Sequence, residues 1–341
     1  MFRPLKVKFS QCLIELGFSG GVSSQTELLT VRDLAKRFPG GGGVQSVSMT
    51  VRAGDITGFI GVNGAGKSTT LRCILGLLRP DAGEIRLFGG PADARARRRL
   101  GFLPEERGLS PHDRARDAIA FHARLKGLGR AAAYDAADQL LERIGLGART
   151  TTKIGELSKG NAQRVQILCA LAHKPDLLIL DEPLSGLDPI AQSEVLSLFA
   201  EFRAAGGAIL FSTHSMAAAE ALCDRVVMVA GGRTVFEGDL ADAAAGVSHG
   251  AVVVTADEAA LAAAARAVGG ELRPMSGGIG EATRWRVMLP REVPHPALLR
   301  ALAEHEASIL AFEPIKPSLE AAFWEHAVAP APAALREAHA A

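Results

Sequence analysis

The chain has 341 residues and four cysteines, and its 38 basic residues are balanced by 37 acidic ones to a net charge of +1. That balance offers no strongly basic face, so the bulk charge does not argue for a nucleic-acid partner. The length suits one large domain plus a smaller one, and no window approaches the roughly 18 consecutive apolar residues of a membrane-crossing helix.

Residues 1–24 start basic, but their apolar part is broken by Gln11 and Glu15, which argues against a secretory signal. They are expected to form a loosely ordered extension. Leu28 to Leu34 reads as a first strand, followed by Phe38 and a glycine run at Gly40–Gly43. Val47, Met49 and Val51 alternate with polar residues, the pattern of a half-buried strand. After the turn at Ala53-Gly54-Asp55 comes the apolar run Ile56 to Ile60, a compact buried strand. It leads into Gly61-Val62-Asn63-Gly64-Ala65-Gly66-Lys67-Ser68, and Thr69 to Leu78 then carries Leu71, Ile74, Leu75 and Leu78 at helical spacing.

Strand, glycine loop and helix in that order give G-x-x-x-x-G-K-[ST] a physical meaning. The glycines let successive N–H groups turn toward phosphate oxygens. The helix behind adds its positive end. Lys67 reaches the β- and γ-phosphates, and the Ser68 hydroxyl is suited to Mg²⁺. Residues Gly61 to Thr69 are therefore the expected binding loop of a nucleoside triphosphate.

Further along, Arg79-Pro80-Asp81-Ala82-Gly83 is a turn, and Glu84 to Phe88 alternates with Ile85 and Leu87 on one face. Arg95, Arg97, Arg98 and Arg99 read as a solvated helix face. Residues 110–150 follow a helical pattern through Ile119, Leu125, Leu140, Leu141 and Ile144, an expected helical insertion. Leu177 to Leu180 is an apolar strand ending in Asp181-Glu182, where α/β sheets place their ligands. Asp181 is suited to hold Mg²⁺ and Glu182 to polarise an attacking water. A helix begins near Pro189 with Val195, Leu198, Phe199 and Phe202 in one stripe and stops at Gly206-Gly207. Ala208 to Phe211 is a buried strand ending at Thr213-His214, and Val226–Ala230 and Thr234–Glu237 are closing strands. Cys73, Cys169 and Cys223 fall in apolar helical patterns; with Cys12 they are spaced too widely for metal pairs, and free thiols in a reducing cytosol are expected. His112, His122 and His173 are expected to be ordinary packing or surface residues.

Past Leu240 the composition shifts. Ala-rich helices at 257–267 and 296–304 alternate with strand-like runs at 251–255, 284–289 and 308–313, a small α+β domain. The expected organisation is an extension (1–24), a nucleotide-binding domain (25–240), a C-terminal α+β domain (241–327) and a disordered Ala/Pro-rich tail (328–341).

Leu157-Ser158-Lys159-Gly160-Asn161-Ala162-Gln163-Arg164 resembles the LSGGQ signature of ABC transporter ATP-binding subunits. Glu182 to Asp188 resembles that family's stretch from catalytic carboxylate to D-loop, and Ser212-Thr213-His214 its switch histidine. Phe38 stands where the family has an aromatic residue for adenine. The resemblance spans residues 28–240. It implies an α/β P-loop fold of the ABC type: a mixed sheet, an antiparallel β subdomain and an inserted helical subdomain. It further implies ATP and Mg²⁺ as ligands, with ATP sandwiched between one copy's phosphate loop and a second copy's Ser158–Gly160 segment, Asp188 nearby, and catalysis by Glu182, His214 and Lys67. Glu105 occupies the position of the usual Q-loop glutamine, and its oxygens are also suited to a hard cation. Gly101 to Leu109 with Cys223-Asp224 resembles exporter ATPases of the sodium-extrusion and drug-export sort, which carry a small C-terminal domain.

The expected partner is a separately encoded multi-span permease, with the chain peripheral on the cytoplasmic face of the cell membrane. Residues around 105–125, with Arg107 and Arg114, are the expected docking surface. The alternative is a soluble ABC ATPase acting on ribosomes or DNA. Ribosome-associated relatives resemble two fused cassettes and DNA-repair relatives split the two half-sites with a long coiled coil, whereas this chain has one phosphate loop and only 90 residues (157 − 67) between Lys67 and Leu157.

Overall fold

The computed structural model describes residues 26–106, 108–245, 249–279, 282–290, 292–315 and 318–328. The expectations for the N-terminal extension, for Cys12 and Arg107, and for residues 329–341 of the tail lie outside them. The chain divides into two compact units at Asp239/Leu240.

The first unit is built on a ten-stranded sheet of order β5-β4-β1-β2-β10-β9-β3-β8-β7-β6. Its strands are β1 (Glu27–Arg37), β2 (Gly43–Arg52), β3 (Ile56–Ile60), β4 (Ala82–Leu87), β5 (Gly90–Pro91), β6 (Leu100–Leu103), β7 (Leu177–Asp181), β8 (Ala208–Thr213), β9 (Arg225–Ala230) and β10 (Arg233–Asp239). Strands β9, β3, β8, β7 and β6 run parallel to one another. Both faces of such a sheet are covered, so β3, β7 and β8 are mostly apolar and are buried at every residue, including the polar Thr57, Asp181, Ser212 and Thr213. The antiparallel β1, β2 and β4 form the other half, and their alternating residues Val47, Met49 and Val51 join a core shared with Phe59, Leu71 and Ile74.

Helix α1 (Lys67–Ile74) packs under this sheet, and α2 is Ala94–Arg98. The helical insertion is α3 (Ala115–Leu125) and α4 (Arg130–Arg143), followed by α5 (Lys159–Leu171). Two more helices, α6 (Pro189–Ala204) and α7 (Met216–Leu222), complete the unit.

Several expectations are corrected. The loop helix ends at Ile74 rather than Leu78, because Gly76 turns to φ 75°. Leu125 is not a core position: it is 63% exposed, with Phe121 at 56% on the same helix. Arg97 is half-buried rather than solvated and donates to the Ile74 carbonyl. Arg99 pairs with Asp176 and stacks on Phe88. Cys223 caps α7 in extended conformation instead of lying within a helix. Cys73, Cys169 and Cys223 are all buried free thiols, and burial pushes Cys223 up to about 12.

The second unit contains α8 (Leu240–Ala245), β11 (His249–Thr255), α9 (Glu258–Ala267), β12 (Glu271–Ile279), β13 (Ala282–Leu289), α10 (His295–Glu304), β14 (Ile309–Ile315) and α11 (Leu319–Val328). The central βαββαβ order gives an antiparallel sheet β12-β13-β11-β14, the split βαβ arrangement. Ala251, Val253 and Val287 pack against Leu261, Ala264 and Leu298 of the helices. Strand β12 was not expected because Pro274, Gly277 and Gly278 interrupt its alternation. It is an edge strand, where proline is tolerated, and the other edge strand, β14, also carries a proline, Pro314.

Candidate functional site: a nucleotide cleft

The parallel strands β3, β6, β7 and β8 deliver their C-terminal ends to one edge. Register pairs Ile60 with Thr213, Asp181 with Ser212 and Leu103 with Leu180. Residues just beyond those ends therefore become neighbours. A cleft of about 430 Å³ opens there, lined by Gly42, Gly43, Asn63 to Thr69, Glu105, Asp181 and Glu182.

The phosphate loop needs its glycines for two physical reasons. Gly66 caps α1 at φ 102°, in the left-handed region, and a Cβ there would drive into Val44 Cγ1. At Gly61 a Cβ would come within 2.5 Å of the Val229 carbonyl oxygen. The Ala65 N–H closes the loop onto the Val62 carbonyl at 3.1 Å. Lys67 is only 8% exposed, and its Nζ donates to the Gly61 carbonyl at 2.6 Å and the Val62 carbonyl at 3.4 Å. Burial lowers its pKa, while the charges of Glu182, Asp181 and Glu105 oppose that shift. The ammonium thus rests on two carbonyls at the floor of the cleft.

Opposite the loop, Asp181 is buried and accepts from the Ser212 hydroxyl. Glu182 sits at φ 49°, a left-handed backbone that is uncommon for any residue but glycine. Its carboxylate accepts from the His214 backbone N–H at 2.8 Å and from the Thr213 hydroxyl at 3.3 Å, and meets His214 Nδ1 at 2.7 Å. Strained backbone held by several donors is a common mark of functional positions.

The cleft does not include every expected residue. Phe38 is exposed in a turn just before Gly42 and Gly43. Ser158 caps α5 by accepting from the Asn161 N–H, Asp188 caps α6 by accepting from the Ile190 and Ala191 N–H groups, and Gly160 lies against Leu187. None of these lines the cleft. His214 is exposed and reaches the site only through Glu182.

Sequence reasoning missed Gly42 and Gly43, whose only signal was a glycine run after an aromatic residue. It also missed the hydroxyls of Ser212 and Thr213 as partners of the two carboxylates. Two glutamines on the buried side of α5 were missed as well. Gln163 Nε2 donates to the Pro183 carbonyl at 3.5 Å, beside Glu182. Gln166 Nε2 donates to the Pro104 and Glu106 carbonyls at 3.4 and 3.3 Å, on either side of Glu105. His173 Nε2 lies 3.0 Å from the Leu100 carbonyl oxygen, which also accepts from Lys126. Burial pushes the His173 pKa down to about 4.

The sequence profile of the ABC transporter family matches residues 44–185. The uncharacterized ABC transporter ATP-binding protein YhaQ of Bacillus subtilis is 39% identical over 213 residues, covering 62% of this chain and 72% of that protein. The chain belongs to the ABC transporter ATP-binding proteins. It is accordingly an ATP-binding subunit and an ATPase. A Nod factor export ATP-binding protein I of Burkholderia lata is 41% identical over 61% of this ABC chain and 69% of its own length. Among solved structures, an ATP-binding subunit of an ABC transporter superposes with a TM-score of 0.59 at 36% identity, covering 63% of this chain and 91% of the other. The cbiO1 protein of Clostridium perfringens, part of the cbiONQ transporter complex, gives 0.57 at 28% identity, over 63% and 89% of the two chains. These neighbours share the ABC ATPase fold that the sheet of the first unit displays. Among the described residues no helix is long and apolar enough to cross a membrane.

Proposed function

We propose that this chain binds and hydrolyses ATP as one of two copies that drive a separately encoded multi-span permease, working in export at the cytoplasmic face of the membrane. The observation that carries this reading is the one-sidedness of the site. Phosphate loop, Asp181 and Glu182 share one cleft, while Ser158, Gly160 and Asp188 lie on a surface outside its lining. Ile190, 75% exposed beside Asp188, leaves an apolar side chain bare on that surface. A second copy, bringing its Ser158–Gly160 segment over the cleft, completes the donor set around the γ-phosphate.

In this reading the loop N–H groups and the N-terminus of α1 receive the phosphates. Lys67 exchanges its two carbonyl partners for phosphate oxygens. Ser68 and Asp181 supply oxygen ligands for Mg²⁺. Among the described residues no three side chains of His, Cys, Asp or Glu form a closed metal cage. That open donor set suits a cation which takes one or two protein oxygens and completes its shell with phosphates and water. Held there, Mg²⁺ would supply positive charge that offsets the charge of the phosphate oxygens. Glu182 orients the attacking water and accepts its proton, and His214, now bonded to that carboxylate, holds the γ-phosphate side. Phe38 offers its ring to the base.

Export is supported by the relatives named for Nod factor export. Docking of the permease at α3 is supported by its bare Phe121 and Leu125. The test is a tagged Glu182→Gln chain, which is expected to lose at least about 100-fold in hydrolysis yet retain ATP. Isolated from detergent-solubilised membranes, it should bring down a multi-span membrane protein in stoichiometric amount, identified by mass spectrometry. Recovery from the soluble fraction alone, with ribosomal or DNA-bound partners, would overturn the transporter reading.

A further inference from the structure

The cleft that receives a polyanion has a surplus of negative side chains. Its charged lining residues, among those described, are one cation, Lys67, and three carboxylates, Glu105, Asp181 and Glu182. Two of these have clear engagements within the chain. Asp181 accepts from Ser212, and Glu182 from Thr213 and His214. Glu105 is exposed, with no such donor shown, yet its backbone is far from loose. Buried Gln166 reaches up from α5 and donates to the carbonyls immediately before and after it. The parallel pairing of Leu103 with Leu180 brings Glu105 out of the sheet beside Asp181. The chain thus uses a buried amide to hold the backbone on either side of a carboxylate that lines the cleft.

We infer that Glu105, held in place by Gln166, is a specificity-determining residue that makes the cleft reject metal-free nucleotide and accept it only together with a divalent cation. This rests on the ATP-site reading above. A negative charge lining the cleft opposes entry of ATP⁴⁻, and the opposition shrinks when two positive charges arrive with the nucleotide. A neutral amide at the same position has no such preference. Glu105 is thereby a selector acting on the charge of the incoming ligand, and Gln166 is a positioning residue acting through it.

The test uses the full chain and a fluorescent ATP analogue, titrated to equilibrium in excess Mg²⁺ and again in EDTA. The readout is the ratio of the two dissociation constants. In Glu105→Gln, an isosteric change on an exposed side chain, the ratio is expected to fall about tenfold, the order produced by one nearby unit charge. The fall should come from tighter binding in EDTA. Gln166→Leu should lower the same ratio with the Glu105 carboxylate intact, an effect that loss of stability alone would not produce, since it would weaken both arms together. An unchanged ratio in Glu105→Gln would overturn the inference. So would a fall caused only by weaker binding in Mg²⁺, which would make Glu105 a plain metal ligand. Failure of the unaltered chain to bind the analogue even with Mg²⁺ would remove the ATP-site reading itself, and the selector with it.

Discussion

The first unit has two polar surfaces that use similar residues in opposite ways. In the cleft, Lys67 and Asp181 are buried, Glu182 is nearly so, and each is bonded to neighbouring groups of the cleft wall. On the signature side, Ser158 and Asp188 are exposed, and their oxygens are engaged by the first turns of α5 and α6. One surface is organised before any ligand arrives; the other is a pair of capped helix starts presented to whatever covers them. Under the proposed function, preorganised charge belongs in the cleft because it need not rearrange during reaction. In the same reading, capped helix ends suffice on a surface that closes over a ligand held by the other copy.

That contrast can be broken most severely at Gly66. Gly66→Ala puts a side chain at φ 102° and against Val44, and it should cost on the order of 2–3 kcal/mol of stability with loss of ATP binding. Chemical denaturation and nucleotide titration read the two effects, and an unchanged denaturation midpoint would show that the loop has slack. A subtler probe lies at the far end of the signature helix, where His173 bonds to Leu100 of the strand leading to Glu105. Its pKa is lowered to about 4 by burial, so the native state stays neutral while the unfolded chain protonates near 6.5. Stability should therefore be unaffected above pH 6.5 and decline as pH falls from there toward 4, by about 2 kcal/mol once partial exposure is discounted. Denaturation midpoints across that range should slope less in His173→Gln. The smallest effect belongs to the caps. Asp188→Ala should cost about 1 kcal/mol in stability. Under the two-copy reading it should also reduce hydrolysis while leaving ATP binding by the cleft unchanged, and a weakened affinity would contradict the division between the two surfaces.

Much of this was legible because the chemistry is written in contiguous motifs. A strand, a glycine loop and a helix must be adjacent in sequence to cradle phosphates, so the loop was legible as a unit, and residues 63–69 of the expected stretch line the cleft while Gly61 and Val62 do not. Asp181 and Glu182 announced themselves by ending an apolar run. Interactions between distant segments left no such trace. Gln166 lies in an apolar-striped helix and looks like an ordinary polar interruption; only folding shows that it faces inward to carbonyls of a loop 60 residues earlier. Leu125 fitted a helical stripe but lies on the bare side of α3, because periodicity gives the spacing of a face and not which face is covered. Strand β12 escaped notice because edge strands tolerate the residues that break a sheet pattern.

Those same residues have a consequence for the protein's life in a crowded cell. The sheet of the second unit ends on β12 at one side and β14 at the other, and each carries a proline, whereas the inner strands β11 and β13 have none. A proline cannot donate to a neighbouring ladder, so each outer border lacks one rung that an incoming strand would need. The sheet is thus guarded against growth by self-templating from either side, and exposed Leu310 on β14 is less of an aggregation hazard than its exposure alone would make it.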